Sequence, residues 1–80
     1  MARVLEGQYR GEGRRFAVVV GRFNALFSEK LLEGCLDGLH RHGVADDAVD
    51  VAWVPGSWEI PLACRRFARA GDYDAVIALG

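Results

Sequence analysis

Three short apolar runs punctuate this chain, and two stretches of helical periodicity separate them. Phe16-Ala17-Val18-Val19-Val20 is continuous, β-branched and too short for a helix. Such a run reads as a strand buried on both faces, the environment of a parallel sheet. Asp50–Val54 and Ala75–Leu79 read as the second and third strands. Between the first two, Leu31, Leu32, Cys35, Leu36 and Leu39 recur at helical spacing, with Asn24 as the expected N-cap and Gly43 as the expected residue just past the end. Between the second and third, Ile60, Ala63, Cys64 and Phe67 form the apolar stripe of another helix. That helix is expected to start from Ser57 as its N-cap, to carry Pro61 in its first turn and to end at Gly71. The order β-α-β-α-β predicts parallel strands with right-handed crossovers. Residues Met1–Gly13 are polar, carry three glycines and read as a loose arm or a short extra strand around Val4 and Leu5.

The strand-to-helix turns hold the candidate chemistry. Val54-Pro55-Gly56-Ser57-Trp58-Glu59-Ile60-Pro61 brings a bend, a hydroxyl, a large aromatic and a carboxylate to the start of the second helix. Free backbone N–H groups and a positive dipole end there suit an oxygen-rich ligand. Gly21-Arg22-Phe23-Asn24 follows the first strand in the same way. On parallel strands the two turns sit side by side, on the edge where open α/β sheets bind ligands. Phe23 has two readings. It is a hydrophobic staple beside the Asn24 cap, the default from this turn alone, or an exposed ring that stacks on a planar heterocycle. Glu59 also has two. The helix dipole alone explains a carboxylate in the first turn, yet an acceptor beside the Ser57 donor and an aromatic suits a polyol attached to a ring. Neither turn has the glycine pattern of a dinucleotide site or a P-loop. The first strand is not followed by the paired acids of a phosphorylated receiver domain.

Composition narrows the classes. Eighty residues, 51% hydrophobic and 26% charged, make one small globular unit. A net charge of −1 argues against a nucleic-acid surface. Arg14-Arg15 and Arg65-Arg66 lack interleaved aromatics and read as solvated faces. Cys35 and Cys64 occupy apolar helix positions without close spacing, so they read as small buried hydrophobes rather than disulfide or metal ligands. His40 and His42 diverge on a helix and cannot share a metal; they complement the dipole of its C-terminus. Lys30, the single lysine, lies beside Glu29 at an exposed position unsuited to Schiff-base chemistry. No apolar run is long enough for a signal peptide or a membrane span, and a reducing cytoplasm is the expected setting.

Together these residues resemble the lumazine synthase family. Val19-Val20-Gly21-Arg22-Phe23-Asn24 is similar to that family's first active-site turn, and Leu31-Leu32-Glu33-Gly34-Cys35 to the start of its first long helix. His42-Gly43-Val44 and the tract from Val51 to Pro61 match closely, and Tyr73–Gly80 resembles its third strand. The likeness runs over essentially the whole chain, and Pro-Gly-Ser-Trp-Glu-Ile-Pro is highly specific.

The resemblance implies a flavodoxin-like three-layer α/β/α sandwich with a parallel sheet, of which residues 1–80 form the N-terminal half. Residues 14–80 would supply β-α-β-α-β, and residues 1–13 an arm or strand swapped into a neighbour's sheet. The implied reaction condenses 5-amino-6-(D-ribitylamino)uracil with 3,4-dihydroxy-2-butanone 4-phosphate to 6,7-dimethyl-8-ribityllumazine in riboflavin biosynthesis, with no metal or organic cofactor. Carried over by position, Phe23 stacks on the pyrimidine, Ser57 and Trp58 offer backbone groups to the pyrimidine and ribityl chain, Glu59 binds ribityl hydroxyls, and Asn24 lies beside the pocket. The phosphate-binding Arg and Thr and the proton-moving His of the family follow the third strand, so no catalytic residue is expected before Gly80. Implied partners are the small-molecule substrates, further copies in pentamers or icosahedral shells with pockets between subunits, and riboflavin synthase. Neither nucleic acid nor membrane is among them. The alternative function is a non-catalytic module that binds ribityl or flavin-like ligands or only builds an assembly.

Overall fold

The computed structural model describes residues 10–80, so most of the expected N-terminal arm lies outside the described residues. Five main elements follow in the expected order: β1 (Phe16–Gly21), α1 (Ala25–Arg41), β2 (Val49–Val54), α2 (Ile60–Ala70) and β3 (Ala75–Leu79). Short 3₁₀ turns at Asp46–Ala48 and Ser57–Glu59 lead into β2 and α2. The strands form one parallel sheet in the order β2-β1-β3. The central place of β1 explains its sequence. A strand flanked on both sides and covered on both faces has no polar position to offer, and Ala17, Val18, Val19 and Val20 are fully buried. Each buried valine contributes on the order of 1.5–3 kcal/mol.

The pleat sorts the two faces. Val18 registers with Val51 on one side and Ile77 on the other. This is the α1 face, where Phe16 and Ile77 border a cavity together with Cys35 and Leu39 of the helix. On the other face Ala17, Val19 and Gly21 register with smaller neighbours, among them Ala52 and Ala78. Small side chains let α2 come close. A Cβ built on Gly21 would sit 3.6 Å from Ile60 Cδ1, and one on Gly80 3.7 Å from the same atom.

The helix ends show what local sequence controls. Asn24 is the α1 N-cap as expected, but in the left-handed conformation (φ 60°, ψ 51°) and without a side-chain capping bond. Its carbonyl accepts instead, from the N–H groups of Phe27 at 2.9 Å and Ser28 at 3.1 Å. At the other end, His40 and Arg41 lie in the last turn, and the His42 ring contacts the Gly38 carbonyl through Nδ1 at 2.6 Å. Basic groups there satisfy orphan carbonyls and oppose the dipole. Gly43 follows with φ +88°, the left-handed geometry expected of it.

The start of α2 differs from expectation. Ser57 makes no side-chain capping bond, and the α-helix begins at Ile60. Pro61 is the cause. The Ser57 carbonyl would accept an α-helical bond from the N–H of residue 61, which proline lacks. It accepts from Ile60 instead, and the Gly56 carbonyl accepts from Glu59, so the chain tightens into a 3₁₀ turn. Gly71 closes α2 at φ +75°, as expected.

The helical stripes are placed correctly but only partly covered. Leu32, Cys35 and Leu39 are half-buried, whereas Leu31 and Leu36 remain exposed. On α2 all four stripe residues are half-buried. Both cysteines are free and half-buried rather than buried, and burial pushes the Cys35 thiol pKa up, away from thiolate reactivity.

Candidate functional site at the C-terminal edge of the sheet

Because β1 and β2 run parallel and in register to Gly21 and Val54, the turns that follow them emerge together. The Arg22 N–H donates to the Val54 carbonyl at 2.7 Å and extends the ladder one step past β1. The Arg22 guanidinium lies 5.7 Å from the centre of the Trp53 ring, a cation–π contact.

A cleft of about 250 Å³ opens at this edge. Gly21 and Gly80, at the ends of β1 and β3, lie along it, with Phe23, Asn24, Phe27 and Ser28 from the start of α1 and Ser57 from the turn before α2. In the order β2-β1-β3 the first connection runs from β1 to β2 on one side, and the second returns from β2 past β1 to β3 on the other. The crevice between β1 and β3 is where doubly wound sheets bind ligands. Phe23 is 76% exposed, so it is not a packed staple; its ring stands free beside the cleft. Asn24 holds its strained left-handed turn at the same place.

Three of the five residues expected at the site therefore meet here: Phe23, Asn24 and Ser57. The other two, Trp58 and Glu59, share the 3₁₀ turn with Ser57 but do not line the cleft. Trp58 is 94% exposed and Glu59 is half-buried. Phe27 and Ser28 were missed by sequence reasoning. A signal existed, since each falls four residues after a residue already singled out, Phe23 and Asn24, and so one helical turn below it.

The lining consists of glycines, two phenylalanines, an amide and two hydroxyls, with no charged side chain. Such a surface suits a flat, uncharged ligand with polar edges. Among the described residues there is no group of three or more His, Cys, Asp or Glu placed to hold a metal, and no helix long and apolar enough to cross a membrane.

The fold and this cleft define a class: a parallel α/β unit with a cleft where its strand order changes direction. The sequence model of the 6,7-dimethyl-8-ribityllumazine synthase family matches residues 13–80. The chain belongs to that family, a transferase family of riboflavin biosynthesis.

Proposed function

We propose that this chain supplies the pyrimidine and ribityl half of a lumazine synthase site, as the N-terminal half of the enzyme's α/β domain. The observation that carries this reading is the uncharged cleft uniting Phe23, Asn24 and Ser57 at the end of β1. Phe23 stacks on the ring of 5-amino-6-(D-ribitylamino)uracil. Ser57 and Trp58 offer backbone groups to the ring and ribityl chain. Glu59, one turn of chain further, accepts from ribityl hydroxyls, and Asn24 borders the ring. The second substrate is 3,4-dihydroxy-2-butanone 4-phosphate. An amine of the pyrimidine attacks its ketone to give an imine with loss of one water, phosphate leaves, and ring closure releases a second water. No cofactor enters this scheme. No titratable side chain lines the cleft, which favours positioning over proton transfer as the task of this half. Exposed Leu26, Phe27, Leu31 and Leu62 support self-association through apolar contacts.

Calorimetric titration with 5-amino-6-(D-ribitylamino)uracil, followed by assay of product with the butanone phosphate present, tests the reading. Saturable binding of the pyrimidine alone is expected. No binding would overturn the proposal. Binding without product would favour the alternative of a non-catalytic module.

A further inference from the structure

We infer that Ser28 is an additional ligand-binding residue of this cleft, its hydroxyl hydrogen-bonding a polar edge of the ring that stacks on Phe23. The inference rests on the reading of the cleft as a pyrimidine site. Ser28 is 2% exposed and is the one polar residue found buried among the described residues. It also lines the cleft. No described residue makes a side-chain hydrogen bond with it, and no buried side-chain oxygen or nitrogen is left unsatisfied among the described residues. A hydroxyl with no side-chain bond to a described residue, yet not among unsatisfied buried atoms, keeps some access of its own, and since Ser28 lines the cleft that access faces what fills the cleft.

Position explains why a hydroxyl sits there. Ser28 lies in the first turn of α1, four residues after Asn24, so the amide and the hydroxyl follow one another down the same helix face. Its own backbone N–H is engaged by the Asn24 carbonyl, which leaves the side chain as the free polar group. Phe27, the preceding residue, also borders the cleft, so the same short stretch supplies both a ring and a hydroxyl to the lining. An alanine would fill that place with better helix propensity and no polar group to satisfy. A serine hydroxyl at a covered helical position, with no bond to a side chain or carbonyl among the described residues, is accounted for by a partner in the cleft.

Titration of the full chain with 5-amino-6-(D-ribitylamino)uracil tests this, with wild type, S28A and S28T compared and the Tm of each measured without ligand. S28A is expected to bind roughly 5- to 20-fold more weakly, the loss of one hydrogen bond, with its ligand-free Tm unchanged or raised. S28T, which keeps the hydroxyl, should recover most of the affinity. If wild type binds and S28A binds equally well, the assignment of Ser28 is overturned while the cleft reading stands. If S28A loses both affinity and Tm, the hydroxyl is structural and the assignment is again overturned. If wild type does not bind, the cleft reading fails and Ser28 fails with it.

Discussion

The two ends of the sheet are built in opposite ways. At the end where the strands begin, backbone and side-chain groups bond from strand to strand. Arg15 and Asp74 tie β1 to β3: the Asp74 N–H donates to the Arg15 carbonyl at 2.8 Å, and the Arg15 N–H donates to the Asp74 carboxylate at 2.8 Å. The Tyr73 hydroxyl donates to the Asp50 carboxylate, which joins β2 to the start of β3. The Arg15 guanidinium lies 3.9 Å from the same carboxylate and 5.8 Å from the centre of the Tyr73 ring. Phe67 of α2 meets Tyr73 edge to face at 5.4 Å. At the end where the strands finish, the polar and aromatic groups are turned outward instead. Phe23 and Trp58 stand exposed, and Asn24 and Ser57 make no side-chain capping bonds. One end uses its side chains to hold three strands together, and the other leaves Phe23 and Trp58 exposed around the cleft.

Changes that break this contrast should rank by how much of the molecule they touch. Val18→Ala empties space in the strand shared by both ends, and should cost about 2 kcal/mol of stability, read by urea denaturation, with binding lost only as far as folding is lost. Phe23→Ala should act on one end alone. We expect about 1–3 kcal/mol of lost affinity for 5-amino-6-(D-ribitylamino)uracil and an unchanged Tm, because the ring is exposed in the free chain. Equal affinity would remove Phe23 from the site. Glu59→Ala should weaken binding by about 1 kcal/mol, less than Phe23→Ala, since Glu59 does not line the cleft itself.

The smallest effect belongs to the other end. The Tyr73 pKa is raised, first by its hydrogen bond to Asp50, then by desolvation and the Asp50 charge, against the opposing pull of Arg15. A phenol whose pKa is higher folded than unfolded adds stability below the unfolded value of about 10, and that stability is lost as pH rises through the folded value. Thermal melts of wild type should therefore fall above about pH 10, and Tyr73→Phe should show a shallower alkaline decline with unchanged ligand binding. A decline of equal steepness in Tyr73→Phe would place the alkaline weakness elsewhere.

How far the sequence could be read follows the same division. β1 was legible because an uninterrupted apolar run has one environment that fits it, and that environment is the centre of the sheet. Gly43 and Gly71 were legible because left-handed backbone at a helix end selects glycine. The start of α2 was misplaced by a local detail, the absent N–H of Pro61, which outweighed the capping preference of Ser57. Leu31 and Leu36 had the right spacing, but periodicity shows which face seeks cover and not how much cover it receives. The cleft was legible at Phe23, Asn24 and Ser57, where turns announce themselves. It was not at Ser28, since a serine inside a helical stretch has no local mark of burial, and depth is set by how α1 lies on the sheet.

The central claim is that the finishing end of the sheet receives the pyrimidine. Mapping backbone amide shifts by NMR during titration with 5-amino-6-(D-ribitylamino)uracil tests it most directly. The account predicts saturable changes at Gly21 to Ser28 and at Ser57 to Glu59, with Arg15, Asp50 and Tyr73 unmoved. Changes centred on Arg15, Asp50 and Tyr73, or no saturable change at the cleft, would contradict it.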